Sequence, residues 1–210
     1  MKDKNRYKTS HLPEDQYEPG SQGRVLKNLL GIKRKRQMDR FEFQEQIRAL
    51  EESTRFYGRE HLFTSEDICQ IHNVWLGKVY SWAGEYRSVN ISKGGFSFAM
   101  AREVPKLMAE FEKTVLAKHT PCCYDSLPAI AAAIAVVHAE LVLIHPFREG
   151  NGRLARLLSI LMALQAGLPV LDFGGIRGRK KKEYIAAVQI GLSGDYQPMS
   201  KIFLSVISRS

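Results

Sequence analysis

The order of apolar and polar residues predicts a chain that is mostly helical. Between residues 38 and 57, large apolar side chains recur at the spacing of one helix face: Phe41, Ile47, Leu50 and Phe56. A second apolar face of the same kind follows: Ile68, Ile71, Trp75 and Val79. Thr64 or Ser65 precedes it, with acids directly after, which is the N-cap pattern of a helix start.

The second half of the chain continues this helical pattern with longer apolar runs. A helix is predicted over residues 102–119, where Pro105 is tolerated in the first turn. Ser126–Ile144 is apolar nearly all round, which is typical of a central buried helix. Three further helices are predicted after it: Gly152–Gly167, 177–192 and 196–208.

One segment, Ser88–Met100, predicts β structure instead. Four apolar residues alternate around Lys93-Gly94-Gly95, in the pattern of a small hairpin: Val89, Ile91, Phe96 and Phe98. A single hairpin in a helical chain has no sheet to join. It is therefore either a surface hairpin without a function of its own or an exposed edge that a partner strand can extend.

Length and composition favour one compact domain. The chain has 210 residues and is 44% hydrophobic, which is enough for one core. We divide it into an N-terminal arm with a short basic segment, residues 1–36, and a main domain, residues 37–210. The predicted fold class is all-α with one small β-hairpin.

The net charge points to an anionic ligand or partner, or only to good solubility. Lys and Arg number 31 against 22 Asp and Glu, a formal charge of +9. Two basic runs, Lys33–Arg36 and Arg177–Lys182, suggest a nucleic-acid-binding module as an alternative function. No base-reading motif or aromatic platform accompanies them, so we expect solvated surfaces and no direct nucleic-acid binding.

Cysteine usage and hydropathy indicate a cytoplasmic protein. Cys69, Cys122 and Cys123 form no CxxC pair, which favours free thiols in a reducing compartment and no metal site. The polar N-terminal segment predicts no signal peptide. The longest apolar stretch, Ala129–Val137, is shorter than the roughly 18 residues of a membrane span, so no membrane segment is expected.

The segment "HPFREGNGRLAR", His145–Arg156, concentrates charge and backbone freedom between two predicted helices. Gly150 and Gly152 allow positive φ and a close backbone approach to a ligand. Asn151 between them tolerates left-handed geometry and adds an amide donor. Successive N–H groups at a helix N-terminus form an anion-binding nest.

The charged side chains of the same segment add a set of catalytic groups. Arg153 and Arg156 lie three residues apart on one helix face and can clamp phosphates. Glu149 offers an oxygen ligand suited to Mg²⁺. His145 can take a proton near neutral pH. Together these groups indicate phosphoryl or nucleotidyl transfer, although neither a Walker A loop nor a kinase glycine-rich loop is present.

The segment resembles the Fic family signature, His-x-Phe-x-(Asp/Glu)-Gly-Asn-Gly-Arg-x-x-Arg, at every defined position. The similarity covers roughly residues 17 to 205, including "YEPGSQGRVLKNLLGI" and "VYSWAGEYRSVNISKGGFSFA", and resembles the bacterial cell-filamentation type. This resemblance implies an all-α Fic domain with a β-hairpin flap over the active site. It also implies a protein adenylyltransferase that moves AMP from ATP onto a Ser, Thr or Tyr hydroxyl and releases pyrophosphate.

The resemblance assigns roles to the residues of the motif. His145 would be the general base and Phe147 the structural anchor of the loop. Glu149 would hold Mg²⁺. The nucleotide phosphates would be bound by the remaining motif residues: Gly150, Asn151, Gly152, Arg153 and Arg156. The hairpin would be the flap that docks the target segment by strand addition: Ser92, Lys93, Gly94, Gly95, Phe96, Ser97 and Phe98.

The resemblance also implies regulation. Many Fic proteins are restrained by a helix bearing (Ser/Thr)-x-x-x-Glu-(Gly/Asn), whose Glu pairs with the second motif arginine, here Arg156. Ser10-x-x-x-Glu14 comes closest, but Asp15 follows it. The C-terminal segment contains no acid. We therefore expect a toxin whose inhibitory helix comes from a separate small antitoxin.

Other transferred groups stay open. Relatives with this fold transfer UMP, phosphate or phosphocholine, or remove AMP. In the phosphate-transferring branch lysine replaces the second motif glycine, so Gly152 disfavours that branch. His72 and His119 carry no predicted role, and a structural role is expected for His138.

Overall fold

The computed structural model describes residues 11–210 and has the predicted all-α architecture. Its main helices are α1 (Lys35–Phe56), α2 (Ser65–Leu76), α3 (Val104–Phe111), α4 (Ala117–His119), α5 (Leu127–Ile144), α6 (Asn151–Gln165), α7 (Arg179–Ile190) and α8 (Gln197–Ile207). One two-stranded antiparallel sheet, β1 (Ser92–Lys93) and β2 (Phe96–Ser97), lies between α2 and α3. A π-helical turn, Glu112–Leu116, joins α3 to α4.

Local signals set several helix ends where the sequence predicts them. Thr64 caps α2: its side chain accepts the Asp67 N–H, and Asp67 accepts the Thr64 N–H in return. Pro105 lies in the first turn of α3, where a missing N–H costs nothing. Gly167, at φ 76°, follows the C-terminus of α6.

Helix α5 is the centre of the domain and packs against α3, α6, α7 and α8. Among the described residues it is the one helix long and apolar enough to cross a membrane by length and composition. The expectation that no apolar stretch reaches this length was therefore wrong, because polar residues are too sparse to interrupt the run. Of this helix, 67% is buried inside the domain, as in the predicted core helix.

The N-terminal arm shares the core of the helical domain. Val25, Leu26 and Ile32 are buried with the helices, and an isolated bridge pairs Tyr17 with Leu26. Helix α1 begins at Lys35, so the predicted boundary after residue 36 falls inside its first turn. Residues 1–10 of the predicted arm, including Ser10, lie outside the described part of the chain.

Candidate active site

The predicted site residues meet in one open pocket of about 1210 Å³. The pocket lies between α1, the hairpin, the loop that joins α5 to α6, and α7. The motif contributes eight lining residues: His145, Arg148, Glu149, Gly150, Asn151, Gly152, Arg153 and Arg156. The fold therefore brings the motif and the hairpin together, although 47 or more positions of sequence separate His145 from Phe98 and its neighbours.

His145 ends α5 in the left-handed conformation, with φ 54° and ψ 57°. Left-handed geometry is costly for a residue with a Cβ, so surrounding contacts must hold it. The Arg87 side chain donates to the His145 carbonyl at 2.7 Å and supplies one such contact. Asn151, which tolerates left-handed geometry, does not adopt it here, because it is already the first residue of α6.

Hydrogen bonding selects the tautomer of the His145 ring. Nδ1 lies 3.1 Å from the Val142 carbonyl, which can only accept, so Nδ1 carries the proton. Nε2 is then left as the basic nitrogen. The Phe98 ring stacks on the imidazole at 3.7 Å between centroids. Burial, together with nearby Arg87 and Lys93, lowers the pKa of His145 to about 4, so the ring is neutral at physiological pH.

Phe147 holds the loop in the core, where it is fully buried. The His72 ring stacks on it at 3.9 Å between centroids. His72 accepts the Gly84 N–H at Nδ1 and lies 3.1 Å from the Glu149 carbonyl through Nε2, which therefore donates. Burial lowers the pKa of His72 to about 4, so this pattern of one donor and one acceptor is kept at neutral pH. No role for His72 is predicted from the sequence alone.

Asn151 uses its side chain to close the loop rather than to meet a ligand. Its Oδ1 accepts the Phe147 N–H at 2.9 Å, and its Nδ2 donates to the Phe147 carbonyl at 2.7 Å. The side chain is buried, so the predicted amide donor toward a phosphate was wrong. The backbone N–H of Asn151 still lies in the first turn of α6, where helix N–H groups have no intrahelical partner.

The two glycines of the motif differ in their backbones. Gly150 has φ 86° and lies against Trp75, so that an added Cβ would meet the indole at 2.8 Å. Gly152 is within α6 and is not among the described residues with positive φ, so it does not use the positive φ that glycine allows. An added Cβ at Gly152 would meet nothing within 4 Å. Gly150 is required by the turn, whereas Gly152 leaves open space at the helix N-terminus.

Glu149 presents an ionised carboxylate to the pocket. Its Oε1 accepts the Gly150 N–H at 2.9 Å and lies 3.3 Å from Arg153. Burial raises the pKa of Glu149, but the Gly150 N–H, Arg153 and Lys93 together bring it below its ordinary value. The described residues contain no group of three or more His, Cys, Asp or Glu that could enclose a metal. A single carboxylate fits Mg²⁺ when phosphates and water complete the coordination.

Arg153 is already paired with carboxylates. It donates to Glu42 at 2.6 Å, stays 3.3 Å from Glu149, and lies over the Trp75 ring at 4.8 Å. Glu42 is fully buried in α1 and also accepts the Tyr80 hydroxyl at 2.7 Å. Burial lowers the pKa of Arg153, but the neighbouring carboxylates of Glu42 and Glu149 together outweigh this effect, so the pKa of Arg153 is raised. No pattern in the sequence singles out Glu42.

Arg156 has a different environment. It lies 6.0 Å from the Phe173 ring centroid and near the Tyr184 hydroxyl. No carboxylate forms a salt bridge with it among residues 11–210. Burial lowers the pKa of Arg156, opposed by Tyr184, yet a guanidinium stays charged. Arg156 is thus a pocket cation that has no counter-ion within the described chain.

The hairpin forms as predicted, with Ser92 opposite Ser97 and Lys93 opposite Phe96. Gly94 and Gly95 both have positive φ, as a two-residue hairpin turn requires. Five of the predicted flap residues line the pocket: Ser92, Lys93, Gly94, Phe96 and Phe98. Gly95 and Ser97 are not among the lining residues.

His138 has the structural environment that was expected for it. Its ring is buried, 3.0 Å from the Ser159 hydroxyl and 2.6 Å from the Tyr184 hydroxyl. His119 contacts Tyr124 at 2.9 Å, away from the pocket. From the second basic run, Arg177 and Lys181 line the pocket.

Comparison with known proteins places the chain in a family. Residues 62–163 match the Fic/DOC family. Proteins named protein adenylyltransferase Fic are similar to it: that of Culex quinquefasciatus is 29% identical over 154 residues, and that of Nematostella vectensis is 30% identical over 148. These alignments cover 73% and 70% of this chain. They cover only 29% and 33% of the relatives, so the chain spans about a third of their length.

Solved structures share the fold. The BepC effector of Bartonella tribocorum, with bound AMPPNP, has a TM-score of 0.73 and 24% identity over 93% of this chain and 97% of that one. The Fic domain of a putative cell filamentation protein from Bartonella quintana, with bound ADP, has a TM-score of 0.74 and 24% identity over 93% and 95%. With the motif, the hairpin and the helical core in one arrangement, the chain belongs to the Fic/DOC family.

Proposed function

We propose that this chain is a protein adenylyltransferase, which transfers AMP from ATP to a Ser, Thr or Tyr hydroxyl of a target protein. The observation that carries the proposal is the His145 ring, whose Nδ1 is bound to Val142 and whose Nε2 is left basic inside the pocket. The names of the Fic relatives, and the nucleotides in the two Bartonella structures, support the choice of ATP.

In this proposal, the target hydroxyl gives its proton to His145 Nε2 as its oxygen attacks the α-phosphorus of ATP. A new oxygen–phosphorus bond forms to the target, the bond between the α-phosphorus and the bridging oxygen breaks, and pyrophosphate leaves. Backbone N–H groups at the start of α6 and the Arg156 guanidinium offset the phosphate charge. Arg153, held by Glu42, adds a fixed cation.

Glu149 is the residue that would hold Mg²⁺. Its carboxylate is half exposed and ionised, and it lies next to the helix N-terminus where phosphates would bind. When bound, the ion would neutralise phosphate charge and help to fix the phosphate geometry. The chain's own contribution is to keep this carboxylate charged and oriented through the Gly150 N–H.

A mass-resolved transfer assay tests the proposal. Purified protein is incubated with Mg²⁺, ATP and a bacterial lysate, and modified proteins are read by intact mass. We expect an AMP-sized addition that His145→Ala abolishes and that His11→Ala, a change at an exposed histidine, leaves unchanged. Parallel reactions with GTP and UTP test the base. A phosphate-sized addition, or none with any nucleotide, would contradict adenylyl transfer.

We further propose that the chain acts in the cytoplasm as a toxin restrained by a separate antitoxin helix. Arg156 lacks a carboxylate partner among the described residues, and Glu14 accepts hydrogen bonds from Ser88, so it is not that partner. Phe43, Ile47 and Ile185 leave apolar surface exposed beside the pocket, where a helix could pack. The three cysteines are free, in keeping with a reducing compartment.

Expression of the chain alone in a bacterial host tests the toxin role. We expect colony formation to fall at least about tenfold with the wild type, and to recover with His145→Ala. Normal growth under wild-type expression, in cells whose lysate proteins carry the AMP-sized addition, would rule out toxicity and leave the transferase activity standing.

A further inference from the structure

One buried arginine outside the motif, Arg87, joins the hairpin to the loop that carries His145. Its side chain donates to four backbone carbonyls: Val89 at 2.7 Å, Ala99 at 2.6 Å, His145 at 2.7 Å and Ile144 at 3.4 Å. Its own N–H donates to the Pro146 carbonyl at 2.9 Å. Only 2% of the residue is exposed.

The four carbonyls belong to the segments whose relative position matters most for the site. Val89 precedes β1 and Ala99 follows β2, so they are the two stems of the hairpin. Ile144 and His145 end α5, where helix carbonyls have no intrahelical donor. One planar guanidinium therefore holds both stems against the turn that presents the catalytic base.

The N-terminal arm supplies a counter-charge to this arginine. Burial lowers the pKa of Arg87, and the Glu14 carboxylate opposes that shift. Glu14 is itself buried, and it accepts the Ser88 N–H at 2.8 Å and the Ser88 hydroxyl. Glu14 thus holds Ser88, the residue that follows Arg87, in place.

The hairpin itself has little to hold it in place. Each strand has two residues, and an isolated two-stranded hairpin is marginally stable in water. Within the described chain no further strand pairs with it. Phe98 stacks on His145, but a ring contact permits sliding, whereas directed hydrogen bonds to both stems do not.

We propose that Arg87 is a positioning residue for target engagement: it sets the height of the hairpin over His145, at which a target strand added to the hairpin presents its hydroxyl to Nε2. This inference rests on the proposed function. A hairpin displaced from this height offers the target strand a misplaced edge, so target binding weakens and the KM for the target rises. Nucleotide binding depends on the α6 end of the pocket and is left unchanged.

The test compares Arg87→Lys with Arg102→Lys. Lysine keeps the positive charge but cannot span four carbonyls, and Arg102 is an exposed arginine just after the hairpin. For Arg87→Lys we expect amide hydrogen exchange in residues 92–98 to quicken about tenfold. We also expect the KM for the protein target to rise about tenfold, with the nucleotide Kd within twofold of wild type. Arg102→Lys should match the wild type in all three.

Glu14→Gln is the second variant, because it removes the counter-charge while the guanidinium stays in place. For Glu14→Gln we expect hydrogen exchange in residues 92–98 to quicken about threefold and the target KM to rise about threefold, with the nucleotide Kd unchanged. Wild-type hairpin exchange and target KM in folded variants would overturn the proposal. So would a parallel loss of nucleotide affinity, which indicates a merely structural arginine. If Arg87→Lys does not fold, Glu14→Gln decides between these results.

The two proposals fail separately. If the wild type transfers no group from any nucleotide, the proposed function is wrong, and hydrogen exchange alone then decides whether Arg87 holds the hairpin. If the wild type transfers AMP and Arg87→Lys does so with unchanged target KM and unchanged hairpin exchange, the transferase stands and the positioning role is wrong.

Discussion

Two glycines of the motif, two positions apart, serve different purposes. Gly150 is in the left-handed region and packs against Trp75, so the fold requires it. Gly152 has helical backbone and open space where its side chain would be. A glycine that the fold does not need, at a helix N-terminus, indicates a position that a ligand approaches closely.

Alanine substitution should separate these two purposes. Gly150→Ala should lower the free energy of unfolding by about 2–4 kcal/mol, from left-handed strain and the clash with Trp75. Gly152→Ala should leave stability unchanged or slightly raised, because alanine favours helix, and should weaken nucleotide binding about tenfold. Urea denaturation and nucleotide titration measure the two effects. Undiminished nucleotide binding by Gly152→Ala would show that no ligand approaches this backbone.

The lowered pKa of His145 predicts that the acid limb of the kcat/KM profile lies at lower pH than for an ordinary histidine. A base must be neutral to accept a proton, and burial lowers the pKa of this ring to about 4, so kcat/KM should stay level as the pH falls from 7 to about 5. Below that pKa, activity should fall about tenfold per pH unit. Bound nucleotide adds negative charge, which favours imidazolium and moves the limb of kcat to higher pH.

Lys93 offers an internal check on this profile. It is one of the cations that lower the pKa of His145, so Lys93→Ala should move the acid limb of kcat/KM to higher pH. Circular dichroism at each pH separates this effect from unfolding. An acid limb near 6.5 in the wild type would mean that partial burial and the nearby cations do not lower the pKa of the ring.

The loop between α5 and α6 is held by side chains that the motif itself and α2 supply. Asn151 satisfies both backbone groups of Phe147, and His72 supports the ring of Phe147 and the carbonyl of Glu149. The loop is therefore rigid before any ligand binds, which keeps the helix N-terminus of α6 directed into the pocket.

Asn151→Ala should destabilise the protein by about 3 kcal/mol. It leaves a buried N–H and a buried carbonyl of Phe147 without their partners, and each loss carries the desolvation cost of a polar group. Asn90→Ala, at an exposed asparagine whose Oδ1 accepts the Ala101 N–H, is the matched control and should cost about 1 kcal/mol or less. Equal costs in urea denaturation would contradict the loop-closing role.

Three histidines, the buried His72 and His138 and the half-buried His145, link the stability of the domain to pH. Burial lowers the pKa of His72 and His145 to about 4 and that of His138 to about 3. The unfolded chain titrates near the ordinary value of about 6.5. Between these values the unfolded state binds more protons than the folded state, so stability falls as the pH falls from about 6.5 toward 4.

In that window, each of these histidines should change the free energy of unfolding by about 1.4 kcal/mol per pH unit. Urea denaturation at pH 7.5, 6 and 5 measures the summed change in the free energy of unfolding. His72→Gln should lower stability at every pH but flatten the slope, whereas His11→Gln, at an exposed position, should leave the slope unchanged. A His72→Gln variant with the wild-type slope would show that His72 is not protonated on unfolding.

Much of this protein follows from local sequence. Helix spacing, the Thr64 cap and the paired glycines of the hairpin depend on neighbours a few residues away, so their patterns are visible without a fold. The motif is likewise contiguous. Its residue types indicate a base, a carboxylate and two cations, even without knowledge of their geometry.

The residues that hold the site in place could not be predicted from local sequence. Glu42 meets Arg153 across 111 positions, His72 meets the Glu149 carbonyl across 77, and Arg87 meets the His145 carbonyl across 58. Such pairs have no spacing rule, because they depend on which helices pack together. The same packing directs the Asn151 amide to the backbone of Phe147. It also places the left-handed backbone conformation at His145. Local periodicity encodes the elements and the reactive groups, whereas burial and long-range packing select the partners that orient them.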